Sequence, residues 1–207
     1  MRLSAENLTL ERGGRRLFAA LSFRLDAGEA LIVTGPNGAG KTSLLRAVAG
    51  FLPLAGGRVS LDGGAGGATL QERTHYLGHA DALKSALTAR ENLAFWGAML
   101  GGGADPEAAL ARLGLPQVAD FPVRALSAGQ KRRVALARLL VAPRPLWLLD
   151  EPTAALDAAS QAQFAGVMRD HLAAGGLIVA ATHAPLGLDD AGSLRLGSEI
   201  VIAGDAA

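Results

Sequence analysis

Alternation of hydrophobic and polar residues near the N-terminus predicts two β-strands, at residues 3 to 10 and 20 to 26, around the turn sequence ERGGRR. A short apolar run, LIVTG at residues 31 to 35, ends in glycine and is typical of a buried strand. Residues 42 to 52 have the apolar spacing of a helix. The Gly-rich stretch from 53 to 69, around RVSLDG, is interpreted as a hairpin. The chain therefore begins with antiparallel strands and then alternates strand with helix.

The rest of the chain continues this alternation. Residues 88 to about 118 have helical spacing, broken at GGGADP, and a further helix over AGQKRRVALARLLVA ends before Pro143. We expect strands at PLWLLDEP and LIVAATH, a helix between them, and a short hairpin at residues 194 to 202. This order predicts an α/β fold with a mainly parallel core sheet, in one domain of residues 1 to 207. An inserted helical subdomain is expected at approximately residues 80 to 126.

Composition narrows the classes of protein to consider. Half of the residues are hydrophobic, 19% are charged and the formal net charge is +1, so bulk attraction to nucleic acid or lipid is not expected. The absence of cysteine excludes disulfides, thiolate metal sites and thiol nucleophiles. The N-terminal sequence has no apolar core of signal-peptide type, and no segment approaches the ~20 apolar residues of a membrane-spanning helix. We expect a cytoplasmic chain that reaches a membrane only through another subunit.

A phosphate-binding loop is predicted where GPNGAGKT follows a strand and begins a helix, in the pattern G-x-x-x-x-G-K-[ST]. Its glycines let backbone N–H groups curve around a polyphosphate, and the helix N-terminus adds free N–H groups. Lys41 is expected to reach the β- and γ-phosphates of ATP, and the hydroxyl of Thr42 to bind Mg²⁺. The predicted ATP-binding residues are Gly35, Pro36, Asn37, Gly38, Ala39, Gly40, Lys41, Thr42 and Ser43.

Two adjacent carboxylates end the predicted strand WLLDE, residues 147 to 151. Such a pair often belongs to a turn or a helix cap, but the phosphate loop in the same chain favours a catalytic role. Asp150 is expected to hold Mg²⁺ through the water shell of the ion, as Thr42 does through its hydroxyl. Glu151 is expected to orient and polarise the attacking water as a general base. The sequence therefore predicts hydrolysis of ATP.

Four motifs, in order and at the right spacing, resemble those of the ABC-type ATPases over essentially the whole chain. They are the phosphate loop, LSAGQ at 126 to 130, DEPTAALD at 150 to 157, and His183 after the strand LIVAAT. In that family the signature serves the nucleotide of a second copy, so the resemblance implies a homodimer with ATP at the interface. It implies a catalytic His183 beside Glu151, the signature residues Ser127, Ala128, Gly129 and Gln130, and the D-loop residues Ala155, Leu156 and Asp157.

Two positions depart from the pattern of that family. Where an aromatic residue usually stacks on adenine, this chain has Arg12, and either its guanidinium plane or the ring of Phe18 could take that role. The lid, or Q-loop, position carries His79 in place of glutamine. We expect His79 to stay neutral when ATP is bound, since Mg²⁺ would repel a protonated ring. It would then act as a modified relay to the helical region.

Several stretches, among them YLGH, LTARENLAFW and PLWLLDEPTAALD, resemble the ATP-binding subunit of the bacterial haem exporter used in cytochrome c maturation. The resemblance implies an ATPase docked on integral membrane permease subunits at the cytoplasmic face of the inner membrane. Its ATP would serve haem export or release of a haem-loaded chaperone. His75 and His79 lack an accompanying Cys or paired Met, so direct haem ligation is not expected. Phe95 and Trp96 either contact the permease or pack inside the helical subdomain.

Alternatives remain open at this point. The chain could be the ATPase subunit of an exporter for a lipid, peptide or drug. A soluble ABC protein acting on ribosomes or DNA usually has two cassettes or a long coiled-coil insertion, and these 207 residues contain neither. A scaffold that binds nucleotide without hydrolysis is disfavoured by Glu151 and His183. The basic run KRR, residues 131 to 133, is interpreted as a solvated helix face that supports the signature, and no nucleic acid partner is expected.

Overall fold

The structure, a computed structural model, describes residues 1–63 and 67–197, and the backbone of 202–203. Its strands are β1 (Arg2–Arg12), β2 (Arg15–Asp26), β3 (Ala30–Thr34), β4 (Gly56–Asp62), β5 (Thr74–Leu77), β6 (Leu146–Asp150), β7 (Leu177–Ala181), β8 (Gly192–Arg195) and β9 (Ile202–Ala203). Its α-helices are α1 (Lys41–Val48), α2 (Ala89–Met99), α3 (Pro106–Arg112), α4 (Ala128–Val141) and α5 (Ala158–Ala173). Two short 3-10 turns lie at Pro116–Val118 and Val123–Ala125. The predicted α/β fold class is confirmed.

An antiparallel sheet of three strands, in the order β2-β1-β4, forms the N-terminal region. Strands β1 and β2 form the predicted hairpin, in which Arg12 lies opposite Arg15. The prediction of a separate hairpin over 53 to 69 is wrong, because RVSLDG lies in one strand, β4, that pairs with β1, and the described residues of this stretch, 53–63 and 67–69, contain no second strand. The apolar residues of β4 have their partners there: Leu61 lies opposite Leu3.

A second sheet, in the order β5-β6-β7-β3-β8-β9, forms the centre of the molecule. Its first five strands are parallel, and β9 pairs antiparallel with β8, which confirms the short C-terminal hairpin. Residues 198–201 of that hairpin lie outside the described residues. Because parallel strands end at the same edge of a sheet, the loops after β3, β6 and β7 lie side by side. The phosphate loop follows β3, and the predicted carboxylate pair lies at the end of β6.

The central sheet separates two hydrophobic cores. Side chains alternate along β6: Leu148 lies in the core shared with α1 and the antiparallel sheet, and Leu149 lies in the core shared with α2 to α5. All five residues of β6 and of β7 are buried, as expected for central parallel strands. These two strands therefore give the loops that follow them a rigid base.

Helices α2 and α3 pack on α4 and lie between β5 and β6 in the chain. Thr88 begins α2 with a capping box, since its side chain accepts from the N–H of Glu91 and Glu91 accepts in return. The ring of Trp96 is half-buried, with the guanidinium of Arg138 3.9 Å from its centre, whereas Phe95 is exposed. Of the two alternatives for these aromatics, packing describes Trp96, and Phe95 stays available for a partner. Over the described residues, no helix combines the length and apolarity needed to span a bilayer.

Candidate functional site

The phosphate loop owes its shape to glycine. Gly35, Gly38 and Gly40 have φ angles of 136°, 82° and 102°, a region that other residues enter only with strain. Gly35 also lies against the chain beyond β8, because a Cβ there would be 2.3 Å from the carbonyl oxygen of Leu196. Gly40 is the N-cap of α1, so the backbone turns directly from the loop into the helix. The helix N-terminus therefore points at the cleft described below.

Lys41 is the first residue of α1 and folds back over the loop. Its ammonium donates to the carbonyl oxygens of Gly35, at 2.6 Å, and Pro36, at 3.2 Å. These contacts hold a positive charge at the mouth of the loop. The side chain lines the cleft, where an anion would meet it.

Thr42 and Asp150 meet at the base of the cleft, although 108 positions separate them in the chain. The hydroxyl of Thr42 donates to the carboxylate of Asp150 at 3.1 Å, and Asp150 is buried. A hydroxyl beside a carboxylate is a donor set that suits Mg²⁺, which takes few ligands from protein and the rest from phosphates and water. Within the described part of the chain, no cluster of three acidic, histidine or cysteine side chains forms a protein-only metal site. The residues present thus fit an ion that arrives with a nucleotide.

Glu151, one residue beyond β6, has an unusual backbone. Its φ of 47° is left-handed, which costs a residue with a Cβ about 1 kcal/mol. Its N–H donates to the carbonyl oxygen of Ala181 at 2.8 Å, and its carboxylate lies 3.1 Å from the hydroxyl of Thr182. Both partners lie at the end of the adjacent strand β7. The neighbouring strand therefore positions this carboxylate, and Thr182 is a residue that the motifs did not identify.

A cleft of about 440 Å³ joins these groups to the turn between β1 and β2. It is lined by Arg12, Arg15, Leu17, Asn37, Gly38, Gly40, Lys41, Thr42, Ser43, Asp150 and Glu151. Six of the nine predicted ATP-binding residues are in this set; Gly35, Pro36 and Ala39 shape the loop from behind. Arg15 and Leu17 were not predicted, since nothing in the pattern of a β-turn marks the residues that face a distant loop.

Two arginines face the cleft from the β1–β2 hairpin. Arg12 and Arg15 are cross-strand partners, an arrangement that is unfavourable for like charges. Neither has a carboxylate within 4 Å in the described structure, whereas the adjacent pair, Arg16 and Glu11, forms an ion pair at 3.1 Å. Phe18, the other candidate for an adenine platform, is buried in the core. Only Arg12 of the two candidates therefore lies at the cleft.

The signature and D-loop residues lie together but outside this cleft. Ser127 caps α4 in a reciprocal box with Gln130, while the N–H of Ser160 donates to Asp157 at the start of α5. Gly129 lies under the D-loop, since a Cβ on it would be 2.9 Å from the carbonyl oxygen of Ala155. The remaining two predicted residues are Ala128, which begins α4, and Leu156, which is buried. None of these seven predicted residues lines the cleft.

The two predicted functional histidines, His79 and His183, are exposed. Neither lines the cleft or has a hydrogen-bond partner among the residues that the structure describes. His183 follows Thr182, whose hydroxyl donates to the carboxylate of Glu151. The roles expected for both histidines stay predictions.

The interpretation of residues 131 to 133 as a solvated face is wrong for Arg132, which is 4% exposed. Its guanidinium is tolerated in the interior because backbone carbonyls and one carboxylate satisfy its donors. Spacing could have indicated this, since Arg132 precedes the buried Ala135 and Leu136 by three and four residues, on one face of α4.

Comparison with known proteins gives a consistent picture. The family model described as "ABC transporter" matches residues 18–154. The cytochrome c biogenesis ATP-binding export proteins CcmA of Nitrobacter winogradskyi and Bradyrhizobium diazoefficiens are 57% and 56% identical to this chain over 198 residues. Each alignment covers 95% of this chain and 98% of the relative.

Solved structures share the fold. A putative ABC transporter ATP-binding protein from Pyrococcus furiosus has a TM-score of 0.80 at 20% identity, covering 95% of this chain and 98% of its own. A bacterial Atm1-family ABC exporter with ATP bound has a TM-score of 0.79 at 27% identity, covering 95% of this chain and 37% of its own. The central and antiparallel sheets described above are therefore a known arrangement.

Proposed function

Because the chain belongs to the ABC transporter family, within the group of cytochrome c biogenesis ATP-binding export proteins, we propose that it hydrolyses ATP to drive a membrane complex that handles haem for cytochrome c maturation. One observation carries the hydrolytic part: Lys41, the Thr42–Asp150 pair and Glu151 line a single cleft at the carboxyl edge of the sheet. The names of the relatives carry the part that concerns the pathway.

The roles of the side chains follow from this geometry. The loop N–H groups and the ammonium of Lys41 hold the β- and γ-phosphates. Thr42 and Asp150 would hold Mg²⁺, which neutralises phosphate charge when bound. Glu151 orients a water molecule toward the γ-phosphorus and accepts its proton as the new P–O bond forms and the bond to the β-phosphate oxygen breaks. His183 would contact the γ-phosphate and this water.

The adenine end of the cleft is assigned to Arg12. A flat guanidinium stacks on aromatic faces, and Arg12 faces the cleft while Phe18 does not. Arg15, its cross-strand partner, would then approach the ribose or phosphates. Binding an anionic nucleotide would relieve the repulsion between these two arginines.

A second copy would complete the site. The signature residues begin α4 and none of them lines their own cleft. The N–H groups of Ser127 and Gln130 are used in the capping box, but the N–H groups of Ala128 and Gly129 and the hydroxyl proton of Ser127 would serve the ATP of a partner. This supports a homodimer with ATP at its interface. His79 would connect the bound nucleotide to the helical subdomain at about 80–126.

The membrane partner would bind at α2. Phe95 and Met99 are exposed there, and Phe121 is exposed at the end of the helical region. Apolar side chains on a mainly polar surface are typical of protein contacts. Haem is assigned to the membrane subunits, because the ring of His75 is buried and hydrogen-bonded to the carbonyl oxygen of Ala142 at 2.6 Å, out of reach of a shared ligand site with His79. With such a membrane partner, the protein would work at the cytoplasmic face of the bacterial inner membrane.

Glu151→Gln tests the hydrolytic part. The amide keeps the shape of the side chain but cannot accept a proton, so turnover should fall on the order of 10²-fold or more while ATP binding survives. ATP should then trap a dimer, visible by size-exclusion chromatography. Glu107→Gln, on the exposed surface of α3, is the matched control and should behave as wild type. Near-normal hydrolysis by Glu151→Gln would remove Glu151 as the base.

Co-purification tests the pathway. A tagged chain expressed in a cytochrome c-producing bacterium should retain membrane proteins of haem handling, and its weak ATPase rate should rise when they are reconstituted together. Retention of membrane subunits that handle a lipid, peptide or drug instead would keep the ATPase assignment and overturn the haem assignment.

A further inference from the structure

The guanidinium of Arg132, on α4, has an acceptor for every one of its five N–H donors. The distances all lie between 2.8 and 3.1 Å. The acceptors are the carbonyl oxygens of Gly78, Asp150, Glu151 and Pro152 and the carboxylate of Asp81. One buried side chain therefore joins the end of β6 to the segment that follows β5.

Three of these bonds concern the backbone around Glu151. The carbonyl oxygens of Asp150, Glu151 and Pro152 all turn toward the one guanidinium. Since the N–H of Glu151 is held by Ala181, its left-handed backbone is fixed on both sides. A strained conformation persists only where its surroundings over-determine it. Arg132 supplies the restraint on the carbonyl side.

The other two bonds concern residues 78–81. Arg132 donates to the carbonyl oxygen of Gly78 and forms an ion pair with Asp81 at 3.0 Å. Two further side chains hold the end of this stretch and the residue after it: Arg138 donates to the carbonyl oxygen of Asp81, and Trp96 donates to that of Ala82. Trp96 belongs to α2, the helix that exposes Phe95. The path from α2 to the backbone of Glu151 thus runs through Trp96, residues 81 and 82, and Arg132.

We infer that Arg132 is a positioning residue for ATP hydrolysis, which holds the backbone of Glu151 in place and links it to residues 78–81, so that a shift of α2 reaches the carboxylate. This rests on the proposed function. The linkage acts through the placement of the base and not through contact with nucleotide, because Arg132 does not line the cleft.

Arginine is required for this role because of its shape. Its planar fork presents five donors in fixed directions, whereas a lysine ammonium presents three from one point. Arg132→Lys keeps the charge but leaves buried carbonyls without a donor. The loss of kcat should therefore be large in Arg132→Lys as well as in Arg132→Gln, and the smaller of the two in Arg132→Lys.

The first experiment separates positioning from nucleotide binding. In Arg132→Lys, kcat should fall roughly 10- to 100-fold, as for a small misplacement of a catalytic group, while KM for ATP and the affinity for fluorescent ATP change less than about twofold. Arg133→Gln is the control: Arg133 is the next residue of α4, half-buried, and makes only long contacts to Leu113 and Gly114. A wild-type kcat in Arg132→Lys overturns the inference. So does a loss of affinity for ATP as large as the loss of kcat.

The second experiment tests the link to α2. Asp81→Asn removes the one charged contact between Arg132 and residues 78–81 at a partly exposed position, where folding should survive. The ratio of partner-stimulated to basal ATPase rate should fall toward one, and a wild-type ratio would overturn the linkage even if Arg132 variants do not fold. If instead Glu151→Gln hydrolyses ATP normally, Glu151 is not the base, and the part of the proposed function that assigns its role fails. If Glu151→Gln is inactive and Arg132→Lys has wild-type activity, the positioning role of Arg132 fails and the proposed function stands.

Discussion

The two walls of the cleft between the phosphate loop and the end of β6 are built in opposite ways. The phosphate-loop wall is one continuous stretch whose shape comes from glycine backbone, and Lys41 bonds only to carbonyls five and six residues away. The facing wall combines Asp150 and Glu151 from β6 with Thr182 after β7, all held by hydrogen bonds from other elements. The first wall is therefore shaped mainly by the backbone of one segment, and the second depends on hydrogen bonds between segments that are far apart in the chain.

Removing the charge of the phosphate-loop wall should have the largest effect. Lys41→Ala deletes the ammonium that faces the phosphates, so nucleotide binding should be abolished, measured by titration with fluorescent ATP. Lys84→Ala, which removes a lysine that packs on Phe95 outside the cleft, should bind as wild type. Unchanged affinity in Lys41→Ala would contradict the assignment of the loop.

A substitution that introduces a steric clash into the same wall should have the next largest effect. Gly35→Ala places a Cβ 2.3 Å from the carbonyl oxygen of Leu196 at a φ of 136°, so the free energy of unfolding should fall by about 2 kcal/mol or more. Gly38→Ala is matched: it has a positive φ but no atom within 4 Å of its Cβ, and should lose about 1 kcal/mol from strain alone. Both changes in the free energy of unfolding are to be measured by urea denaturation. Equal losses would mean that contact with Leu196 does not shape the loop.

The most gradual effect concerns β5, the strand beside the second wall, and develops only as the pH falls. Burial, chiefly, lowers the pKa of His75 to about 4, and nearby Arg144, Arg138 and His171 add to the shift. The native state thus keeps His75 neutral while the unfolded chain takes up a proton near pH ~6.5. Its contribution to stability is present above that pH and should be lost between about 6.5 and 4, by up to ~1.4 kcal/mol per pH unit.

The measurement is the free energy of unfolding at pH 7.5, 6 and 5 in wild type and His75→Gln. The difference between the two proteins should shrink as the pH falls, because glutamine does not titrate. The pKa of His171 is also lowered by burial and contributes in the same direction to both proteins, so it cancels in the comparison. A difference that is constant with pH would show that His75 is not held neutral.

The same contrast explains what could be predicted from the sequence. The phosphate loop and the signature are contiguous, so their residue types appear at fixed spacing, and the strand order follows from periodicity. Spacing indicates the burial of Arg132 but not its contacts, since these depend on which strands are neighbours. Thr182 could not be found this way. Nor could the choice between Arg12 and Phe18, which depends on the face of β2 that enters the core.

The left-handed backbone of Glu151 has a consequence for the evolution of the chain. Glycine is the residue that this φ favours, and a single base change converts a glutamate codon to a glycine codon. Such a variant would release about 1 kcal/mol of strain while losing the carboxylate. If Glu151 is the base, as proposed, drift toward greater stability would lead in one step to a protein that binds nucleotide but does not hydrolyse it. In that case, selection for ATP turnover keeps glutamate at this strained position.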